Sequence, residues 1–168
     1  RVHVVPNGVG AEFAPGDPVV TARFRAAHGL PARFLLAVGT LEPRKNLLTT
    51  LEAHARLPQR VRAAYPLVVA GMSGWRDGAI SRRLDSARAR GDARLLGHVA
   101  DDALPALYAG AAMLAYPSLY EGFGLPPLEA MASGVPVAAS NRASLPEVVG
   151  DGGIRVDPHD VEELTSAM

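Results

Sequence analysis

The sequence predicts an α/β fold, a doubly wound parallel sheet with helices on both faces. Three observations lead there. Short, continuous apolar runs recur along the chain, as expected of strands buried on both faces of a parallel sheet. Helical segments with recognisable start and stop signals lie between those runs. The strands and helices alternate, which implies right-handed crossovers between parallel strands.

Taken in chain order, the first helix is expected over residues 18–28, closed by Gly29, and the first strand over 34–38. Asn46 is placed to cap "LLTTLEAHARL", in which Leu47, Leu48, Leu51 and Ala55 form one apolar face. A strand follows at 67–70, then a helix "GAISRRLDSARAR" capped by Asp77 and ended by Gly91. Strands at 93–96 and 112–115 flank "ALPALYAGA", which Asp101 or Asp102 precedes and whose Pro105 sits in the first turn, where proline is tolerated. Pro126 and Pro127 can only begin a helix, so Glu121 falls in a loop and Glu129 in the first turns of the helix that follows. Strands at 135–139 and 154–156 and a helix capped by Asp160 complete the reading.

Composition excludes several classes. The 168 residues hold no cysteine, so no disulfide framework exists, and a chain of this length buries about 70% of its unfolded surface unaided. The 17 basic and 17 acidic residues cancel, which gives no reason to expect nucleic acid or an anionic membrane as partner. The apolar runs fall far short of the ~20 residues of a spanning helix, so a soluble cytoplasmic domain is expected. Arg1 is no initiator methionine, and the closing "DVEELTSAM" makes only a short helix. Residues 1–168 are therefore expected to be one domain of a longer protein, truncated at both ends.

Ligands of such sheets bind at the carboxyl ends of the strands. Three loops there have unusual contents: "VGTLEPRKN", "AGMSGWRDG" and "YPSLYEGFGLPP". In the third, Gly122 and Gly124 let a ligand approach the backbone amides of Phe123, Gly124 and Leu125, and the helix dipole beyond favours an anion. A plain strand-to-helix turn with Phe123 in the core would look similar. In the first loop, Arg44 and Lys45 stand before a helix amino terminus, where the dipole disfavours cations. A bound phosphate, an ion pair with Glu42, or solvation would each compensate. His3, His28, His54, His98 and His159 lack metal-ligand spacing and read as surface or satisfied core residues. Trp75 reads as loop packing or as a rim contact to a base or sugar.

Together "HVVPNGV", "LAVGTLEPRKNL" and "LLGHVADDALPALYAGAAMLAYPSLYEGFGLPPLEAMASGVPVAAS" resemble the carboxyl-terminal, donor-binding domain of the family 4 retaining glycosyltransferases of GT-B fold. That domain is one of two Rossmann-like halves. The likeness spans nearly the whole chain, and its E-x7-E signature, Glu121 to Glu129, arrives within its Gly-Phe-Gly-Leu-Pro context.

The resemblance implies transfer of a hexose from a nucleotide diphosphate sugar to an unknown acceptor, with retention and without a metal. It implies that Lys45 contacts the diphosphate together with an arginine. That arginine commonly follows the strand-end glycine, whereas here Gly39 is followed by Thr40, so Arg44 is taken as its substitute. Glu121 would hold hydroxyls of the sugar and Glu129 those of the ribose. The amides of Phe123, Gly124 and Leu125 would meet sugar and phosphate, and the turn at His98 and Val99 the base. No cofactor is implied beyond the substrate, with GDP-mannose the expected donor. The acceptor-binding amino-terminal domain is absent, so the chain alone is expected to bind nucleotide sugar weakly and to transfer nothing. Any membrane contact would be peripheral, through that missing half. The alternatives are a GT-B relative such as a nucleotide-sugar epimerase, or a non-catalytic, flavodoxin-like nucleotide-binding module.

Overall fold

The computed structural model describes residues 1–3, 5–72 and 78–168. Its elements run α1 (Pro18–Ala27), β1 (Leu35–Val38), α2 (Leu47–Arg56), α3 (Gln59–Ala64), β2 (Leu67–Ala70), α4 (Gly78–Ala89) and β3 (Ala93–Gly97). They continue with α5 (Leu104–Gly110), β4 (Met113–Tyr116), α6 (Leu125–Ala132), β5 (Val137–Ser140), α7 (Leu145–Val149), β6 (Ile154–Val156) and α8 (Val161–Ala167).

The strands form one sheet in the order β3-β2-β1-β4-β5-β6, and every pairing is parallel. This is the dinucleotide-type order, not the 2-1-3-4-5 order of flavodoxin-like sheets. The direction of winding reverses between β1 and β4. In open sheets of this kind the crevice at the carboxyl edge beside such a reversal is where ligands bind.

Alternate residues of each central strand enter different cores. Leu35, Ala37, Leu67 and Val69 pack with α2, α4 and α8 on one face. Leu36, Val68, Ala70 and Leu114 pack with Phe24 of α1, Leu107 and Tyr108 of α5, and Ala130 of α6 on the other. Burial on both faces is why the strands read as unbroken apolar runs rather than as alternation.

Several expectations are refined. Strand β5 begins at Val137 rather than at 135, because Pro136 has no N–H to donate and serves only as acceptor for the Leu114 amide. The apolar face assigned to α2 was rotated: Leu48 is 41% exposed, and the buried positions are Leu47, Thr50, Leu51, Ala53 and His54. The sequence disguised that face because two of its members are polar. His54 is a satisfied core histidine, bonded through Nε2 to the Tyr65 carbonyl at 2.9 Å. Burial lowers its pKa, so the buried ring is neutral.

Asn46 does not cap α2 through its side chain but takes the left-handed conformation, φ 55°. Neither Asp101 nor Asp102 caps α5; they open a 3-10 turn ahead of it, with Pro105 in the first turn as expected. Asp160 does cap α8, accepting from the amides of Glu162 and Glu163. Asp77 and Trp75 lie outside the described residues. Helices α3 and α7, of six and five residues, were not anticipated; neither is long enough to show a period. Among the described residues, no helix is long and apolar enough to cross a membrane.

Candidate functional site

The site is built where β1 and β4 end. Gly39 follows β1 with φ 134°, and its amide donates to the Ala70 carbonyl. Gly71 follows β2 so closely that a Cβ on it would lie 1.9 Å from the Gly39 carbonyl oxygen. A Cβ on Gly39 itself would meet the aliphatic stem of Lys45 at 3.2 Å. Two bare backbones thus leave a shelf across which Lys45 lies.

A 3-10 turn, Pro43–Lys45, carries Arg44 and Lys45, and Asn46 then turns the chain into α2. The Asn46 side-chain Nδ2 donates to the carbonyls of Pro117 (3.0 Å) and Pro158 (2.7 Å), tying the β1 loop to the loops that follow β4 and β6. The Leu119 amide donates to the Arg44 carbonyl at 2.9 Å, a second tie between the β1 and β4 loops.

Across the crevice the two cations meet Glu121. Its Oε1 accepts from Lys45 Nζ at 2.8 Å and from the Tyr116 hydroxyl at 2.9 Å, and its Oε2 from Arg44 Nη1 at 2.8 Å. Arg44 also pairs with Glu42 at 3.1 Å and donates to the Tyr120 carbonyl. The Glu121 side chain is 9% exposed, Lys45 16% and Arg44 41%. The charge that the helix terminus disfavours is therefore offset within the chain, chiefly by Glu121, a partner 76 residues from Lys45.

Burial pushes the Glu121 carboxyl up, but Lys45, Ser118 and Tyr116 around it outweigh burial and hold the group below its ordinary value. Glu121 is thus an ionised acceptor at neutral pH, unsuited to general-acid work. The Ser118 hydroxyl is buried and meets no partner at hydrogen-bonding geometry, although it lies near enough to influence Glu121 and Tyr116.

Beyond Glu121 the chain bends through Gly122, around whose missing side chain there is open space, and Gly124, φ 108°. The Ser144 hydroxyl lies 3.0 Å from the Glu121 carbonyl and 2.6 Å from that of Phe123, bracing the bend. Among the described residues the amides of Phe123, Gly124 and Leu125 have no backbone acceptor. Since Pro126 and Pro127 contribute none, these amides are the donors that this bend can offer a ligand.

Gly39, Thr40, His98 and Val99 share an open depression of 240 Å³ at the ends of β1, β2 and β3, with Gly71, Met72, Asp101 and Leu104. Glu129, on α6, does not join the Glu121 cluster. Its Oε2 accepts from the hydroxyl of buried Tyr108 at 2.7 Å, and burial, then Asp101 and Glu12, raise its pKa despite that bond. A larger groove, 720 Å³, lies at the opposite end of the sheet among Leu35, Tyr65, Met113 and Ile154. It holds no such cluster of charges.

The sequence profile described as "Glycosyl transferases group 1" matches residues 21–168. This chain belongs to that family. It is 49% identical over 167 residues to O-antigen chain mannosyltransferase B of Escherichia coli, covering 99% of this chain and 44% of that protein. It is 37% identical over 174 residues to a serotype-specific mannosyltransferase of Escherichia coli, covering 100% of this chain and 21% of that protein. Among solved structures, the Anabaena protein HepE in complex with UDP and glucose superposes with a TM-score of 0.81 at 23% identity, covering 95% of this chain and 44% of that one. The fold is the Rossmann-like α/β fold of GT-B glycosyltransferases. The chain spans less than half the length of the relatives it matches.

Sequence reasoning overlooked four residues of this candidate site. Tyr116 and Gly71 left a signal, one a polar-tipped aromatic closing an apolar strand, the other a glycine closing the "VAG" end of β2 as Gly39 closes the "AVG" end of β1. Ser144 and Tyr108 left none, since only the fold brings them to the E-x7-E segment.

Proposed function

We propose that this chain is the donor-binding domain of a retaining hexosyltransferase that takes mannose from GDP-mannose, and that an amino-terminal domain outside this sequence holds the acceptor. The observation that carries the reading is the Lys45–Glu121–Arg44 cluster at the reversal between β1 and β4. As the glycosidic bond breaks, the nucleoside diphosphate gains negative charge. Two cations and the free amides before Pro126 are fixed where they can stabilise it, and no metal enters the proposal.

Each residue has a part consistent with its place. Arg44, the more exposed cation, turns from Glu121 to the diphosphate, while Lys45 keeps one N–H free for it. Glu121, ionised and anchored, accepts from sugar hydroxyls. It is not assigned as a nucleophile. Hydrolytic retaining enzymes pair carboxyls about 5 Å apart across the bond, whereas here Glu129 faces Tyr108 and Glu42 reaches the cluster only through Arg44. Transfer on one face of the sugar, assisted by the departing phosphate, is the mechanism we assign. The depression at Gly39, Thr40, His98 and Val99 takes the base, and Glu129 the ribose. The mannosyltransferase relatives support mannose, and HepE, which shares the fold and is in complex with UDP and glucose, supports a nucleotide ligand.

In the full-length enzyme, Glu121→Gln should lower the transfer rate at least 100-fold, about 3 kcal/mol of barrier, while nucleotide affinity falls only a few-fold. Initial rates and GDP calorimetry on the same preparation measure both. Equal losses in the two would count against Glu121 acting on the sugar.

A further inference from the structure

Tyr116 is the last residue of β4, 3% exposed, and stands where the sheet reverses. Its hydroxyl donates to Glu121 Oε1 at 2.9 Å and accepts from Lys45 Nζ at 2.8 Å, while the ammonium lies 5.2 Å from the ring centroid. Lys45 and Glu121 belong to loops; Tyr116 belongs to a strand. Resting on the donor-site reading above, we propose that Tyr116 is the positioning residue of this site, its phenol locking Lys45 and Glu121 into one geometry and selecting which of their hydrogen-bonding groups face the ligand.

Counting donors and acceptors gives the proposal its content. Lys45 has three N–H donors, of which Tyr116 and Glu121 take two, leaving one. Glu121 Oε1 is filled by Lys45 and Tyr116, while Oε2 accepts only from Arg44 and keeps room for a hydroxyl. Without the phenol, Lys45 regains a second free N–H and Oε1 a free lone pair, and both flexible side chains lose their link to the sheet. Functional groups held by rigid elements keep productive geometry better than groups held by loops alone. Burial, then Glu121, raises the phenol pKa far above neutrality, so the donor is always protonated. The groups facing it are Lys45, Glu121, Arg44 and the Ser118 hydroxyl, with Glu42 behind Arg44.

The test titrates the Glu121 side-chain carboxyl of this chain by carbon NMR, the signal being identified by its loss in Glu121→Gln. Tyr116→Phe removes one donor to the carboxylate and should raise the midpoint by about one pH unit. Affinity should fall further for GDP-mannose than for GDP, since the first uses both loosened groups. A residue serving only to fill space would leave the midpoint and the ratio of affinities unmoved, and that result overturns the proposal. Should Tyr116→Phe not fold, 3-fluorotyrosine at position 116 keeps the contacts with a stronger donor. The midpoint should then move down, and an unchanged value is again contrary. If the unaltered chain binds neither nucleotide, the donor-site reading fails while the titration still decides whether the phenol positions Glu121.

Discussion

Lys45→Ala is expected to weaken GDP binding to this chain by about 10- to 100-fold. Hydrogen bonds to charged groups are worth about 1.5–3 kcal/mol, and each 1.4 kcal/mol is about tenfold in affinity. The change removes the less exposed of the two cations and the one whose stem is laid across Gly39. Glu121 keeps Arg44 and Tyr116 as partners, so the fold should survive, and calorimetry with GDP reads the loss directly. Lys45→Arg should recover only part of it. A guanidinium keeps the charge but is planar and forked, and it cannot reproduce an ammonium held between a phenol and a carboxylate. Undiminished GDP affinity in Lys45→Ala would remove the lysine from the site.

Gly71→Ala is expected to be the most destabilising single change in the binding edge, by about 3 kcal/mol or more. The new Cβ would lie 1.9 Å from the Gly39 carbonyl oxygen and 2.6 Å from its carbon, both backbone atoms of a half-buried sheet end. No side chain can swing away to relieve that contact, so the ends of β1 and β2 must part. At about 2–4 °C per kcal/mol for a domain of this size, the thermal midpoint should drop by roughly 10 °C. GDP affinity should fall with it, because Gly39 supports Lys45. The same substitution at Gly122 meets open space and should leave the midpoint within about 1 °C. Equal melting of the two variants would contradict the close backbone approach on which the shelf depends.

Much of this was legible in the sequence because it is local. The limits of β2 and β6, the start of α6 at the two prolines, and the Asp160 cap all follow from runs, breakers and caps within a few residues. What the sequence could not show was pairing between distant segments. Arg44 and Lys45 read as cations in need of an anion, and Glu121 as a loop carboxylate. That they answer one another depends on β1 and β4 being neighbours, which strand order alone decides. Asn46 failed as a cap for the same reason: Pro117 and Pro158, 71 and 112 residues away, hold its side chain through Nδ2, and its Oδ1 accepts from the Thr49 hydroxyl instead of a backbone amide. Leu48 was misplaced because periodicity counted only apolar residues, whereas the buried stripe of α2 includes Thr50 and His54.

Lys45 is the only lysine in the chain, so carbon-13 labelling of lysine Cε gives a single side-chain NMR signal. The account predicts that titration with GDP or GDP-mannose moves that signal saturably, with the same affinity as calorimetry. Calorimetric saturation with the Lys45 signal unmoved would put the nucleotide elsewhere, and the diphosphate would have no place among Lys45, Arg44 and Glu121.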